Sequence, residues 1–158
     1  MRILVISHEY PPIGGGGGKV ASDLNTIFIK NGHRVSLITS NFFPITNQSI
    51  IDGVKVYPIK CNRKQKFKAS IQDMLLFIIN GFIRSFQIMK IEKPNLIHVH
   101  FAVPGGMLAF LISKIWKIPY VLTIHLGDVP GGNPFKTDKW FRYIFPFTKI
   151  IWNNAIRI

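Results

Sequence analysis

Apolar residues occur along the chain in short runs separated by polar, glycine-rich and proline-rich stretches. Five of these runs have the length and composition of β-strands: Ile3–Ile6, Val35–Thr39, Gly53–Tyr57, Leu96–His100 and Tyr120–Ile124. A sixth candidate strand, Ala155–Ile158, is the last segment of the sequence. Short strands that are mostly apolar are typical of parallel sheets whose two faces are both covered.

Helical periodicity lies between the predicted strands. From Val20 to Phe28 apolar residues recur at helical spacing, and Asn31-Gly32 provides a C-terminal stop. Ser70 and Asp73 resemble a capping box that opens a long helix ending at about Ile91.

Two further helices are predicted, one from Pro104-Gly105-Gly106 through Ile115 and one from about Thr137. The segments Ser40–Asp52 and Gly127–Pro134 are predicted to be loops. Strands that alternate with helices predict an α/β fold, namely a Rossmann-like doubly wound parallel sheet with right-handed crossovers. A length of 158 residues suits one such domain.

Composition narrows the class of protein. A hydrophobic fraction of 47% excludes wholesale disorder. The single cysteine, Cys61, excludes an internal disulfide and fits a reducing compartment. The first residues lack the pattern of a secretory signal peptide, so we expect a cytoplasmic protein, with peripheral attachment to the inner face of the cell membrane as an extension.

One segment is apolar enough to need a membrane test. Residues Ile71–Met89 are mostly apolar, and a spanning helix needs about 20 such residues. Polar residues such as Asp73 and Arg84 interrupt the segment, which favours a buried or interfacial helix over a transmembrane one.

The formal charge of +13 predicts an anionic partner. Six residues form a basic segment with one aromatic ring, and they are the predicted contacts to an anionic membrane: Lys60, Arg63, Lys64, Lys66, Phe67 and Lys68. The alternative is a solvated loop. A nucleic-acid partner is supported only by the net charge, since the sequence contains no recognised nucleic-acid-binding motif.

Five consecutive glycines, Gly14–Gly18, follow the first predicted strand and precede the first helix. Ligands of open α/β sheets bind at this place, and a helix N-terminus suits a phosphate. The segment matches neither the P-loop, which would need glycine at Ile13, nor the dinucleotide pattern, which would need one at Lys19. The alternative is a mobile loop with no ligand.

These residues resemble a known family. "MRILVISHEYPPIGGGGGKVASDLNTIFIKNGHRVSLITS" is similar to the start of the retaining GT-B glycosyltransferases of family 4, and "PNLIHVHFAVPGG" and "IPYVLTIHLGDVPG" match two later segments in the same order. The resemblance implies that residues 1–158 form the N-terminal, acceptor-side half of a GT-B fold. The paired-glutamate motif of the family's donor-binding domain does not occur in the sequence. We therefore expect a separate donor-binding domain as a partner, or self-association through the domain face that such a domain would cover.

The resemblance also implies site residues. It places His125 beside the donor sugar as a catalytic residue, with Asp128 orienting that histidine or binding a sugar hydroxyl; an Asx turn is the alternative for Asp128. The implied substrate contacts are Gly14, Gly15, Gly16, Gly17, Gly18, Lys19, His100 and Gly127. Lys19 and His100 have equally plausible structural interpretations, a solvated lysine and a hydrogen-bonded histidine. His33 and His98 are predicted to be structural.

No cofactor or metal is expected, since no cluster of His, Cys, Asp and Glu has metal-ligand spacing and the sugar nucleotide acts as a co-substrate. The leading hypothesis is a hexosyltransferase domain that uses a lipid-linked or glycan acceptor. Two alternatives stay open: a non-catalytic membrane-docking or scaffold module, including a truncated glycosyltransferase fragment, and a Rossmann-type nucleotide-binding protein of another kind.

Overall fold

The computed structural model describes residues 1–45, 47–129 and 138–158, with only the backbone for residues 138–145. Its strands are β1 (Arg2–Ile6), β2 (Arg34–Ser40), β3 (Ser49–Ile51), β4 (Val54–Ile59), β5 (Leu96–His100) and β6 (Tyr120–Thr123). Its helices are α1 (Gly16–Lys30), α2 (Ile71–Glu92), α3 (Met107–Trp116) and α4 (Asp138–Asn154).

The strands form a six-stranded sheet with the order β3-β4-β2-β1-β5-β6. All neighbouring pairs are parallel except β3 and β4. Alternate residues of β1 supply two cores: Leu4 and Ile6 belong to the cluster formed with α2, α3 and α4, whereas Ile3 and Val5 pack with α1. The predicted Rossmann-like α/β fold is therefore confirmed, with helices on both faces of the sheet.

The winding of the chain determines where a ligand can bind. From β1 the chain proceeds outward to β2 and β4, and it then returns to add β5 on the other side of β1. Ligands of open α/β sheets bind where the strand order reverses, outside the carboxyl ends of the strands. The carboxyl ends of β1 and β5 occupy this position, and β6 ends beside them, since His100 of β5 is paired with Thr123 of β6.

The N-terminus of α2 forms as predicted. The Asp73 amide donates to Oγ of Ser70 at 3.1 Å, and the Ser70 amide donates to Oδ2 of Asp73 at 2.8 Å. This reciprocal pair satisfies two backbone donors that would otherwise have no intrahelical partner.

Strand β3 corrects the prediction that residues 40–52 form only a loop. Ile51 and Val54 face each other across a two-residue turn, Asp52-Gly53, whose φ angles are 49° and 81°. Positive φ at both central positions is the geometry that an Asp-Gly hairpin favours, so this dipeptide was the available signal.

Two further boundaries differ from the prediction. Helix α1 begins at Gly16, so three of the five glycines are helical rather than part of a loop. The predicted strand Ala155–Ile158 makes a single parallel bridge, between Arg157 and Val121. The predicted loop Gly127–Pro134 extends beyond Val129 into residues that lie outside the described ones.

Candidate functional site

Three chain segments meet at the carboxyl edge of the central strands. After β1 the chain continues through His8 and Glu9 to the glycines, β5 ends at His100, and His125 follows β6 by two residues. Their proximity is direct: a Cβ atom on Gly17 would lie 3.2 Å from Nδ1 of His125. The glycine segment, Gly14–Gly18, and the predicted catalytic histidine therefore line the same place.

The five glycines have different roles. Gly14 has φ of 86°, which favours glycine, and Gly17 leaves no room for a side chain, since a Cβ there would lie 2.4 Å from Cζ of Phe101. A Cβ on Gly18 would lie 3.1 Å from the carbonyl oxygen of Ile13. Gly15 and Gly16 have open space where their side chains would be. The first turn of a helix leaves backbone N–H groups without intrahelical partners, so this open side can receive an anion.

Glu9 holds the glycine segment in place, and the sequence interpretation missed it. Oε2 of Glu9 accepts from the amide of Gly15 at 3.3 Å, and Oε1 lies 3.5 Å from the guanidinium of Arg63. The signal was its location between the end of β1 and the first glycine, where a charged residue faces the ligand edge of the sheet.

A line of histidines leads from the core to the site. Nε2 of His98 lies 2.8 Å from the Thr123 hydroxyl, the rings of His98 and His100 are 4.6 Å apart, and Nδ1 of His100 lies 3.2 Å from Nε2 of His125. His98 and His100 are buried, whereas His125 is only partly so. The sequence-predicted residues His100 and His125 are thus in direct contact.

Burial keeps these imidazoles neutral. Desolvation lowers the pKa of His98 to about 4 and that of His100 to about 3, with neighbouring histidines adding repulsion. Burial also lowers the pKa of His125, although the Glu9 carboxylate acts in the opposite direction. At neutral pH each ring therefore has one N–H donor and one acceptor nitrogen, and His125 can hold an oxygen or nitrogen of a bound molecule.

Phe101 shapes the floor of the site and was also missed. Its backbone has φ of 70°, a strained value for a residue other than glycine. The ring lies 4.3 Å from that of His125 and 4.7 Å from that of His8, measured between centroids. Its position directly after β5 was the available signal, and the absence of a side chain on Gly17 makes room for it.

Asp128 positions the backbone. Its two carboxylate oxygens accept from the amides of Ala102, at 3.1 Å, and His125, at 3.0 Å. Burial raises its pKa to about 6, and these two backbone hydrogen bonds oppose the rise. Asp128 therefore ties the segment after β5 to the segment after β6, and it orients His125 through the main chain.

Two predicted substrate contacts lie on exposed surface. The ammonium of Lys19 pairs with Asp23 one helical turn later, and both side chains are more than half exposed. This geometry favours the solvated interpretation of Lys19. Gly127 has open space around its Cβ direction and lies in a short turn, Leu126–Asp128, next to His125.

The basic segment divides into exposed and buried members. Arg63 is a correction: its side chain has no exposed area, and it donates to the carbonyl oxygens of His8, Gln65 and Lys66 in addition to its ion pair with Glu9. Arg63 therefore holds the segment around Glu9 in place from inside the protein, and it cannot contact a membrane. The remaining members are exposed: Lys60, Lys64, Lys66, Phe67 and Lys68.

A cavity of about 340 Å³ lies next to this segment, between Lys64, Lys68 and the start of α2 at Ser70. None of its lining residues belongs to the histidine line. In the described part of the chain, no three or more His, Cys, Asp and Glu side chains are arranged to hold a metal ion.

Comparison with known proteins supplies the family context. The family model described as Glycosyltransferase Family 4 matches residues 14–158. N-acetyl-alpha-D-glucosaminyl L-malate synthase of Bacillus anthracis is 25% identical over 129 residues, which cover 79% of this chain and 32% of the relative. This chain thus spans about a third of that protein's length.

Two solved structures share the fold. Sucrose-phosphate synthase from Thermosynechococcus elongatus superposes with a TM-score of 0.74 at 16% identity, covering 98% of this chain and 41% of that one. The Streptomyces sp. SF2575 glycosyltransferase SsfS6, crystallised with thymidine diphosphate, gives a TM-score of 0.52 at 14% identity, over 78% of this chain and 38% of that one.

Proposed function

The chain belongs to glycosyltransferase family 4, and from this membership we propose that it is the acceptor-side domain of a retaining hexosyltransferase. The proposed reaction transfers a hexose from a sugar nucleotide to a lipid-linked or glycan acceptor, once a donor-binding domain completes the cleft. The observation that carries the proposal is the contact between Gly17 and His125 at the reversal point of the sheet.

The proposed roles follow from the chemistry of each part. The open side of Gly16, in the first turn of α1, suits the diphosphate, because the amides of this turn and the helix dipole both favour an anion there. The amide of Gly15 is already occupied, since it donates to Glu9. His125, neutral at pH 7, holds a hydroxyl of the transferred sugar. A neighbour with this fold was crystallised with thymidine diphosphate, which supports a nucleoside diphosphate as the ligand class.

Equilibrium binding tests this function. The chain is titrated calorimetrically with UDP-, GDP-, ADP- and dTDP-hexoses and, in parallel, with NAD. We expect at least one sugar nucleotide to bind and NAD not to bind. Preference for NAD would overturn the proposal in favour of another class of nucleotide-binding protein.

A matched pair of variants localises the ligand. Gly17→Ala puts a methyl group against Phe101 and His125, whereas Gly16→Ala adds the same group in open space. We expect Gly17→Ala to weaken binding at least tenfold and Gly16→Ala to weaken it less. Equal effects of the two variants would place the ligand elsewhere.

A membrane partner is a second proposal, supported by the surface of α2. Four apolar residues one helical turn apart form an exposed stripe: Ile71, Leu75, Ile79 and Ile83, which are 49–65% exposed. Helix α2 is long and apolar enough to cross a membrane by length and composition alone, but its other side contributes Phe77 and Ile88 to the core. A helix packed on one face and apolar on the other suits the interface of a bilayer.

Charge complements this stripe. Lys60, Lys64, Lys66 and Lys68 are exposed in the segment that leads into α2, and Phe67 is 70% exposed among them. Each lysine near an anionic surface contributes about 1 kcal/mol, so four contribute several. We propose that these residues dock the chain on the cytoplasmic face of the membrane, where a lipid-linked acceptor is reachable.

Vesicle sedimentation at low salt tests the docking. The full chain is mixed with vesicles of phosphatidylcholine alone or with one-third phosphatidylglycerol. We expect binding to the anionic vesicles only, and a loss of binding for Ile79→Glu/Ile83→Glu. Two controls, Ile50→Glu on β3 and Lys30→Ser/Lys117→Ser, change exposed residues elsewhere, and an equal loss in those variants would contradict the proposed surface.

A further inference from the structure

We infer that His100 is a positioning residue that fixes the tautomer of His125. In this arrangement Nδ1–H of His100 donates to Nε2 of His125, and the proton of His125 resides on Nδ1, facing the glycine segment. The tautomer assignment stands on the geometry of the histidines and of Glu9, and only its catalytic consequence depends on the proposed function.

The contact between the two rings requires one donor and one acceptor. Nδ1 of His100 and Nε2 of His125 are 3.2 Å apart, and the rings are nearly parallel, with 28° between their planes. A neutral imidazole has a proton on one nitrogen and a lone pair on the other. Assigning the shared proton to either ring therefore decides the tautomer of both.

The other nitrogen of His100 distinguishes the two arrangements. Nε2 of His100 is fully buried and has no hydrogen-bond partner among the described residues. If His125 were the donor, the proton of His100 would have to be on this nitrogen, as a buried N–H with no acceptor. If His100 is the donor, Nε2 has only an unused lone pair. Buried donors without a partner are the rarer case in proteins, so the second arrangement is favoured.

The charge on the glycine side points the same way. The Glu9 carboxylate accepts from the amide of Gly15 and lies against Gly14, so it is on the glycine side of the site, which Nδ1 of His125 also faces. A proton on Nδ1 faces the side that holds this negative charge, whereas a proton on Nε2 would be directed toward buried His100.

This tautomer determines what His125 can do in the proposed sugar transfer. A His125 that has its proton on Nδ1 presents a donor to the cleft, so it holds a hydroxyl or phosphate oxygen of the sugar nucleotide. The same nitrogen is then not available to remove a proton from the acceptor. His100 itself touches no ligand in this arrangement and acts through His125.

The test is the long-range ¹H–¹⁵N NMR spectrum of the ¹⁵N-labelled chain at pH 7.5, which distinguishes a protonated ring nitrogen from a bare one. We expect His125 to show a protonated Nδ1 and a bare Nε2, and His100 to show the same pattern. A protonated Nε2 on His125 would overturn the inference. This measurement needs no ligand. A result that contradicts the tautomer assignment is therefore distinguishable from an absence of sugar-nucleotide binding.

Three variants test whether His100 is the cause. His100→Asn can place an amide N–H near the position of Nδ1 and should keep the wild-type tautomer of His125. His100→Leu removes the donor and should shift His125 toward the form protonated on Nε2. His33→Asn, which changes a histidine next to the N-terminus, serves as the control and should change nothing.

Binding of the best sugar nucleotide provides the second measurement. We expect His100→Leu to weaken it about tenfold, which corresponds to the loss of one hydrogen bond, and His100→Asn to weaken it less. An unchanged His125 tautomer in His100→Leu would overturn the positioning role. If that variant does not fold, the wild-type and His100→Asn spectra still decide the assignment.

Discussion

Gly17 and His125 lie so close that a single methyl group on the glycine would be 3.2 Å from Nδ1 of the imidazole. The two residues are 108 positions apart in the sequence. They meet because Gly17 follows β1 and His125 follows β6, and these strands flank β5 with their carboxyl ends at the same edge of the sheet. Three of the five glycines are thus explained, by close approach at Gly17 and Gly18 and by a positive φ angle at Gly14.

The first prediction separates two adjacent glycines by their effect on stability. Gly17→Ala should lower the free energy of unfolding by about 1–3 kcal/mol, because its methyl group overlaps the ring of Phe101. Gly16→Ala, in open space within the same helix, should raise it by about 0.5–1 kcal/mol. Urea unfolding followed by circular dichroism measures both. Similar stabilities for the two variants would contradict the packing at Gly17.

The second prediction concerns Arg63 and its neighbour Lys64. Arg63→Ala should destabilise the protein by about 3 kcal/mol, since it leaves the Glu9 carboxylate and three carbonyl oxygens without their partner. Lys64→Ala, at an exposed position, should change stability by less than about 0.5 kcal/mol. Thermal and urea unfolding give the comparison, and a costless Arg63→Ala would show that the buried pair does not hold the segment.

The third prediction uses the raised pKa of Asp128. The folded chain retains this proton up to about pH 6, whereas an unfolded aspartate loses it near 3.8. Stability from this group is therefore present at low pH and is lost as the pH rises from about 4 to 6. When the pH falls from 7 to 4, the free energy of unfolding of the wild type should rise by on the order of 3 kcal/mol relative to that of Asp128→Asn. A pH-independent difference would refute the assignment.

The fourth prediction is that the buried histidines make the protein less stable in acid. Their effect on the free energy of unfolding is opposite in sign to that of Asp128. Burial lowers the pKa of His8 and His100 to about 3 and that of His98 to about 4, compared with 6.5 when unfolded. Their contribution is complete above pH 6.5 and is lost as the pH falls toward 4. As the pH falls, each histidine should lower the free energy of unfolding by up to about 1.4 kcal/mol per pH unit. The sum of these losses is larger than the gain from Asp128.

Urea midpoints between pH 7.5 and 5 measure this loss. His100→Asn should flatten the dependence by about one proton. A wild-type protein that keeps its full stability at pH 5 would show that these rings are more accessible than the structure places them.

Much of the fold was predictable because local signals and tertiary structure agree. The Ser70–Asp73 capping box begins α2 as its sequence predicts, and the apolar runs form the parallel strands. Strand β3 was not predicted, since three residues at the edge of a sheet have little periodicity, and only Asp52-Gly53 indicated the hairpin.

The sequence predicts the site residues that lie at or just after the ends of strands, but it does not predict those contributed by other segments. His100 and His125 follow from their positions after β5 and β6, but the burial of Arg63 does not, because a lysine-rich neighbourhood favours an exposed residue. Its partners, His8 and Glu9, are more than 50 residues away. Pairings of this kind depend on the path of the chain over the sheet, which residue spacing does not encode.

The central claim is that the glycine segment and His125 form one binding site for a sugar nucleotide. Its most direct test is an NMR titration of the labelled chain with the tightest-binding sugar nucleotide, observing the Gly17 amide and the His125 imidazole together. We expect both signals to shift with the same dissociation constant, and we expect the shifts to persist in Gly16→Ala and to disappear in Gly17→Ala. Shifts confined to residues away from this edge of the sheet, with Gly17 and His125 unmoved at saturation, would contradict it.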